Sequence, residues 1–140
     1  MRMTLLLSLA LLGSLMAPAQ EAAIVARNAW VRLPLPSKTE TAMYVTLENH
    51  GAERRSVVGG VSEATGTIEL HEMKMIRSAM YMAPVTEVKI PAKGKVSFTP
   101  ESYHIMLYGL KSKLAVGDSI TVMLKLDDGG SVPVTATVRK

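Results

Sequence analysis

The chain has 140 residues, of which 48% are hydrophobic, and its sixteen Lys and Arg residues against twelve Asp and Glu give a net charge of +4. This length is sufficient for one domain with its own core. The basic residues are scattered, and their longest cluster, Arg54-Arg55, has no interleaved aromatic residues, which argues against nucleic acid binding. The absence of cysteine excludes disulfides, disulfide exchange and the thiolate-dependent blue-copper electron carriers.

The first nineteen residues have the three-part layout of a secretory signal peptide. A short basic start, residues 1–4, precedes an apolar run from Leu5 to Met16, and residues 17–19 provide a small-x-small cleavage site. The run is shorter than the roughly 20 residues that span a membrane. We therefore predict a signal peptide at residues 1–19, cleavage near Ala19, one mature β domain at residues 20–140, and no membrane span after cleavage. Without a cysteine, the cleavage point offers no site for lipid attachment.

The mature sequence is typical of short strands separated by turns. Turn signals such as Gly59-Gly60, Gly117-Asp118 and residues 127–130 recur at regular spacing, residues 34–40 are predicted to form a loop, and no window of a dozen residues has a helical period. This pattern predicts an all-β fold, a Greek-key β-barrel or sandwich in a single domain. The predicted strands are Val25–Leu33, Ala42–Asn49, Arg55–Val58, Thr67–Met75, Ala79–Val88, Lys95–Phe98, Tyr103–Leu107, Ser119–Leu126 and Val132–Val138.

Histidine and methionine are concentrated in one part of the mature chain. Five of its seven methionines and two of the three histidines lie between residues 71 and 106. Ten residues separate His71 from Met82, and twenty-one separate Met82 from His104, which stands two positions before Met106. A thioether is a soft ligand that Mg²⁺ and Ca²⁺ do not favour, whereas imidazole suits copper in either oxidation state. The spacing therefore predicts a site for copper, and for Cu(I) in particular.

Strand alternation sorts these side chains by face, because residues two apart in a strand point to the same side. A hairpin turn near residues 77–78 would place the first two groups side by side, so that three neighbouring segments could direct soft ligands towards one spot. The groups in chain order are His71 with Met73 and Met75, Met80 with Met82, and His104 with Met106.

Ordinary packing and solvent exposure are the alternatives for individual residues. Methionine commonly fills gaps in cores, and Met43 and Met123, which lie outside the cluster, are predicted to pack in this way. His50 stands in an Asn-His-Gly turn and is predicted to be an exposed loop residue. Ser78 and Ser102 have histidines nearby, but there is no Gly-x-Ser-x-Gly hydrolase elbow, so no catalytic residue is predicted.

The spacing resembles the motif of the periplasmic copper chaperones of the PCu(A)C family, which is His, ten residues, Met, twenty-one residues and His-x-Met. The four positions that meet each spacing are His71, Met82, His104 and Met106, and the likeness extends over about residues 24–138. The resemblance implies that these four residues ligate the metal. Beside them, Met73, Met75 and Met80 are predicted to be auxiliary, either as alternative ligands during transfer or as a shield against water.

One feature departs from the family pattern. The family usually has two glycines before the Tyr-His pair, where this chain has Glu101-Ser102. Glycines would permit a positive φ angle, so we expect the rim of the site to differ locally while the ligands are retained.

The resemblance also implies a fold and a function. The fold would be a cupredoxin-like β-barrel or sandwich. The protein would carry Cu(I) in the periplasm and deliver it to an acceptor, either the CuA centre in subunit II of cytochrome c oxidase or another copper chaperone. We expect a monomer that is not an enzyme.

Three other functions are alternatives to delivery. The protein could serve general periplasmic copper buffering or resistance. It could be an oxidative copper enzyme, although the well-known type of this class uses an N-terminal histidine, which the predicted mature start Gln20-Glu21 does not supply. It could also be a structural immunoglobulin-like module without metal, in which the methionines only pack.

Overall fold

The computed structural model describes Gly13 and residues 23–140. The predicted signal peptide and its cleavage near Ala19 therefore lie outside the described residues, apart from Gly13. The described residues form strands, turns and loops, and none of them is helical. The strands are β1 (Ile24–Arg32), β2 (Thr41–Asn49), β3 (Arg55–Val61), β4 (Thr67–Ile76), β5 (Ala79–Pro84), β6 (Val88–Ile90), β7 (Lys95–Ser97), β8 (Tyr103–Tyr108), β9 (Ser119–Leu126) and β10 (Ser131–Arg139).

The strands belong to one sheet with the order β5-β4-β8-β2-β1-β10-β9-β3-β6. The short strand β7 is not part of this series and pairs with β2. The pair β1 and β10 is parallel, whereas β4 pairs antiparallel with β5 and with β8. Although they are not hydrogen-bonded neighbours, β3 and β4 lie against each other, and β6 approaches β2 and β7. The sheet therefore curls around a single core, and the predicted all-β class is confirmed.

Strict alternation of apolar and polar residues builds this core. In β9 and β10 every second residue is buried, as Val122 and Val134 are. Full burial of such a side chain stabilises the fold by roughly 1.5–3 kcal/mol. Strand β8 differs, because four consecutive residues are buried: Ile105 and Leu107 lie in the core, and they alternate with His104 and Met106. His104 and Met106 consequently point to the other face of the sheet.

Two strand predictions were wrong. The run predicted as one strand from Ala79 to Val88 is divided, because β5 ends at Pro84 and pairs with β4, whereas β6 pairs with β3. The predicted turn at Gly59-Gly60 is instead part of β3, which continues to Val61 through a register shift. A Cβ at Gly60 would lie 3.3 Å from the side chain of Ile68, so this glycine permits a close approach of neighbouring chain segments.

The methionines and the histidine outside the cluster are placed as follows. Met43 is fully buried in the core, as predicted. Met123 was predicted to pack but is 37% exposed, because Val122 and Leu124 occupy the core face of β9. His50 is exposed in a turn, as predicted, with its Nε2 atom 3.2 Å from Glu48.

Candidate functional site

The register of three adjacent strands brings the predicted histidines and methionines onto one face of the sheet. His71 of β4 is the direct partner of His104 in β8. On the other side of β4, Met73 is the partner of Met82 in β5. Met106 follows His104 by two residues and therefore shares its face. The four side chains of the spacing motif thus lie together on the outer face, opposite the core.

The cluster has a buried part and an exposed part. The Nε2 atom of His104 lies 3.1 Å from the sulfur of Met82, and the rings of His71 and His104 are 5.6 Å apart between centroids. His71, His104 and Met106 are all buried. Met82 is 52% exposed and lies on an edge strand of the sheet. Three donors are therefore fixed by packing, while the fourth covers them from the solvent side.

Hydrogen bonds orient both imidazole rings. His71 Nε2 lies 2.8 Å from a carboxylate oxygen of Glu69, while its buried Nδ1 atom has no hydrogen-bond partner among the described residues. His104 Nδ1 lies 3.4 Å from the carbonyl oxygen of Ser102, and its Nε2 atom faces Met82. When Nε2–H of His71 donates to Glu69 and Nδ1–H of His104 donates to Ser102, each ring keeps one lone pair for a metal. Such carboxylate–imidazole and carbonyl–imidazole pairs commonly support metal-bound histidines.

The surroundings of His104 favour its neutral imidazole form. Burial lowers the pKa of His104, and the nearby positive charges of protonated His71 and of Arg32 act in the same direction, while the hydrogen bond to Ser102 opposes them. A neutral ring is the form that binds metal. Burial also raises the pKa of Tyr44, whose ring lies 4.6 Å from that of Trp30 between centroids and is tilted from it by 40°.

The donor types decide which metals the cluster fits. Among the residues that the structure describes, no three His, Cys, Asp or Glu side chains are grouped so that they could hold a metal ion. A site here therefore needs the methionine sulfurs as well as the imidazoles. That donor set suits Cu(I) and does not suit the hard cations. The unpartnered nitrogen of His71 is a further feature that a metal would satisfy.

The hairpin of β4 and β5 carries two of the three auxiliary methionines, Met75 and Met80, away from the cluster, whereas Met73 stays beside Met82. The last pair between β4 and β8 is Glu72 with Tyr103, so residues 74–81 form a two-stranded extension, which we call the hairpin tip. Its turn residues Arg77 and Ser78 both have positive φ angles, 49° and 66°, as in a type I′ hairpin turn. The tip carries a cross-strand pair of exposed methionines, Met75 with Met80.

The substitution of the family glycines leaves the entry to β8 regular. Glu101 and Ser102 are not among the described residues with positive φ angles. The turn is instead closed by the backbone N–H of Ser102, which donates to the carbonyl of Thr99 at 3.1 Å. Non-glycine residues are therefore compatible with this turn, and Ser102 also supplies the carbonyl that faces His104.

The sequence prediction identified the clustered residues but overlooked Glu69. Glu69 precedes His71 by two positions, so alternation places both side chains on the same face. This i, i+2 relation was the available signal. Glu72, which is adjacent to His71 in sequence, points to the other face and pairs with Lys74 at 3.2 Å.

Together, the fold and the cluster define a class: a small all-β domain that presents imidazole and thioether side chains on one face of its sheet. Residues 24–138 match the family described as putative lipoprotein LpqE-like. The chain is 34% identical over 113 residues to the putative lipoprotein Lxx21020 of Leifsonia xyli subsp. xyli, which corresponds to 80% of this chain and 67% of that protein. The chain therefore belongs to the LpqE-like family.

Solved structures share the fold. The copper-bound PCuAC domain from PmoF2 superposes with a TM-score of 0.71 at 20% identity, over 89% of this chain and 98% of that domain. The Cu(I) form of DR1885 from Deinococcus radiodurans has a TM-score of 0.61 at 34% identity, over 83% of this chain and 77% of that one. The fold is therefore that of PCuAC domains, and the predicted cupredoxin-like architecture is confirmed.

No helix in the described part of the chain has the length and apolar character of a membrane span.

Proposed function

We propose that this protein is a copper chaperone that binds one Cu(I) through His71, Met82, His104 and Met106 and passes it to an acceptor protein. The observation that carries the proposal is the convergence of these four side chains on three adjacent strands, with His104 Nε2 and the sulfur of Met82 3.1 Å apart. Two neutral imidazoles and two thioethers add no charge, so the set suits a monovalent soft ion.

The uneven exposure of the four donors supports transfer as well as binding. His71, His104 and Met106 are buried and hold fixed positions, whereas Met82 is half-exposed on an edge strand. Methionine has three rotatable bonds, so the Met82 side chain can swing away without disturbing the core. An incoming ligand from an acceptor could then replace its sulfur. Copper would leave by stepwise ligand exchange while the domain remains folded.

The relatives support copper as the cargo. The neighbours described as the copper-bound PCuAC domain from PmoF2 and as CuI-DR1885 carry copper, and the second is 34% identical to this chain. We extend this property to the present chain because its own donors are soft and grouped. We propose binding and transfer as the function, without a catalytic step.

We further propose an exported, periplasmic location and the CuA centre of cytochrome c oxidase as the final acceptor, directly or through another copper chaperone. The lipoprotein descriptions of the family and of the Leifsonia relative support export. A predicted signal peptide at residues 1–19 would provide it. Deletion of the gene should lower oxidase activity, and added copper should restore it.

General copper buffering is the second candidate, and transfer kinetics distinguish it from delivery. The purified domain loaded with one Cu(I) should pass the metal to a soluble CuA domain faster than free exchange through solution allows. A buffering protein would bind Cu(I) equally well, but transfer would proceed only at the rate of spontaneous release. A domain that binds no Cu(I) would contradict both candidates.

A further inference from the structure

The hairpin tip carries two methionines that ordinary packing does not explain. Met75 is 65% exposed and Met80 is 46% exposed, and they are direct cross-strand partners. Methionine is usually buried as a core gap-filler, and exposed methionine is susceptible to oxidation. The two sulfurs therefore stand where the fold gains little from them.

The tip methionines are aligned with the His/Met cluster. The pair of Met75 and Met80 and the pair of Met73 and Met82 lie on the same face of the hairpin, because the members of each strand are two residues apart. Two residues along a strand correspond to about 7 Å. The next residue of β4 on this face is His71. Thioethers thus form a continuous row from the tip to the buried imidazoles.

We propose that Met75 and Met80 form a second, weaker Cu(I) site at the hairpin tip, through which copper enters and leaves the His/Met cluster. This inference depends on the proposed function, because it takes the cluster to be the main Cu(I) site. Cross-strand partners have Cβ atoms about 4.5–5.5 Å apart, so two flexible methionine side chains can bring both sulfurs to one ion. Two sulfurs without imidazole make the tip the weaker of the two sites.

The transfer step is a ligand exchange without redox change. Copper remains Cu(I) throughout. On the way out, a bond from copper to the sulfur of Met73 forms before the bonds to the imidazoles break, and a bond to a tip sulfur forms before the bonds to Met73 and Met82 break; entry is the reverse. Thioethers carry no proton, so no proton moves while copper passes along the sulfurs. A released imidazole keeps its lone pair.

The direct test is NMR of methionine methyl groups during anaerobic titration with Cu(I). The first equivalent should shift the methyl signals of Met82 and Met106, and the second should shift those of Met75 and Met80. The signals of buried Met43 and of Met123, which is exposed on β9, should stay unchanged through both equivalents. Unshifted tip signals at two equivalents would overturn the proposal.

A kinetic test uses the double variant Met75→Leu with Met80→Leu. Leucine preserves the volume, and both positions are exposed, so the variant should fold like the wild-type protein, which its NMR spectrum checks directly. Affinity for the first Cu(I) should stay within about twofold, whereas the rate of Cu(I) transfer to a small chelator should fall by about tenfold or more. Met123→Leu is the matched control and should leave both values unchanged.

The outcomes separate three explanations. Slower transfer to the small chelator, with unchanged affinity, supports the second site. Slower transfer to a protein acceptor alone would mean that the tip is a docking surface and would overturn the metal site. If the wild-type protein shows no shift of Met82 and Met106 with the first equivalent, the proposed function itself fails, irrespective of the tip.

Discussion

The His104 imidazole contacts the sulfur of Met82 at 3.1 Å, although β8 and β5 are separated in the sheet by β4. The Met82 side chain therefore reaches across β4 and covers the buried histidine. Two tautomers of His104 compete in this arrangement, one donating from Nε2 to the sulfur and the other donating from Nδ1 to the carbonyl of Ser102. A metal at Nε2 would select the second. The contact thus marks the position where Cu(I) would be inserted between nitrogen and sulfur.

Removal of either thioether of the motif should weaken copper binding with little effect on folding. We expect Met82→Leu and Met106→Leu each to lower Cu(I) affinity by about 100-fold or more, roughly 2.7 kcal/mol. Because leucine has a similar volume, even the buried Met106 variant should lose less than about 1.5 kcal/mol of stability. Competition titration against a Cu(I) chelator measures the affinity, and thermal unfolding measures the stability.

The controls for this prediction come from the same chain. Met123→Leu should leave the affinity unchanged, and Met73→Leu should reduce it much less than Met106→Leu. If Met73→Leu abolishes binding as completely, Met73 is a primary ligand and the assignment is wrong. X-ray absorption of the Cu(I) form should detect both nitrogen and sulfur in the first shell, and a shell without sulfur would contradict the site.

The carboxylate of Glu69 should support copper binding through His71. Its oxygen lies 2.8 Å from His71 Nε2 and fixes the ring with Nδ1 free. Loss of such a partner typically lowers metal affinity by about 10–100-fold, and we expect Glu69→Gln to fall in this range. Glu72→Gln is the matched control, because Glu72 lies on the opposite face and pairs with Lys74. Equal losses in the two variants would exclude a specific role for Glu69.

Copper affinity should fall in acid because protons compete for the imidazole nitrogens. An ordinary imidazole has a pKa of about 6.5. Between about pH 7 and pH 5, a plot of the logarithm of the Cu(I) affinity against pH should have a slope of at most two, because each histidine can take up one proton. The methionines do not titrate and should preserve part of the affinity. A flat profile in competition titrations would mean that neither histidine binds the metal.

The lowered pKa of His104 also predicts how the folding stability of the apo protein depends on pH. Burial makes the folded state favour the neutral ring. The unfolded chain therefore takes up the proton more readily as the pH falls. The corresponding stability is fully present above the unfolded pKa of about 6.5 and is lost as the pH falls through the lower folded pKa. Chemical denaturation of the apo protein at several pH values would measure this loss of stability. A His104→Gln variant should lack the part of the pH dependence that His104 contributes.

Substitution of Ile105, the residue between His104 and Met106 in β8, should affect folding rather than copper binding. Ile105 separates His104 from Met106 in sequence but is fully buried on the core face. We expect Ile105→Ala to cost about 2–5 kcal/mol of stability through the cavity it leaves. Val61→Ala, at a 48% exposed position, should cost far less. Denaturant unfolding of the apo proteins compares the two, and similar losses would contradict the placement of Ile105.

Local pattern was sufficient to predict which side chains share a face. Alternation in β8 separates His104 from Ile105, and the turn at Arg77-Ser78 joins β4 to β5 as expected. The direct pairing of His71 with His104 could not be derived in this way, because the two residues are 33 positions apart and their register depends on the whole sheet. The PCu(A)C spacing supplied that link through resemblance rather than through local physics.

The errors in the strand predictions have a related cause. Residues 79–88 are strand-like except for Pro84, the one local signal of an interruption, and β5 ends at this residue. The sequence does not show locally that β5 and β6 pair with different partners, β4 and β3. The glycines at 59 and 60 indicate a turn by composition, but tertiary packing against Ile68 uses them for close approach within a strand. Competition between local signals and long-range packing decides both cases.

The parallel pairing of β1 with β10 joins the first and last strands in the middle of the sheet. A growing or threading chain cannot complete this arrangement until Thr137 and its neighbours are available to pair with Trp30. Contacts of such long sequence separation slow folding. The sheet therefore stays open along one side of β1 until β10 is available, so the segment from β1 to β9 cannot complete the fold by itself.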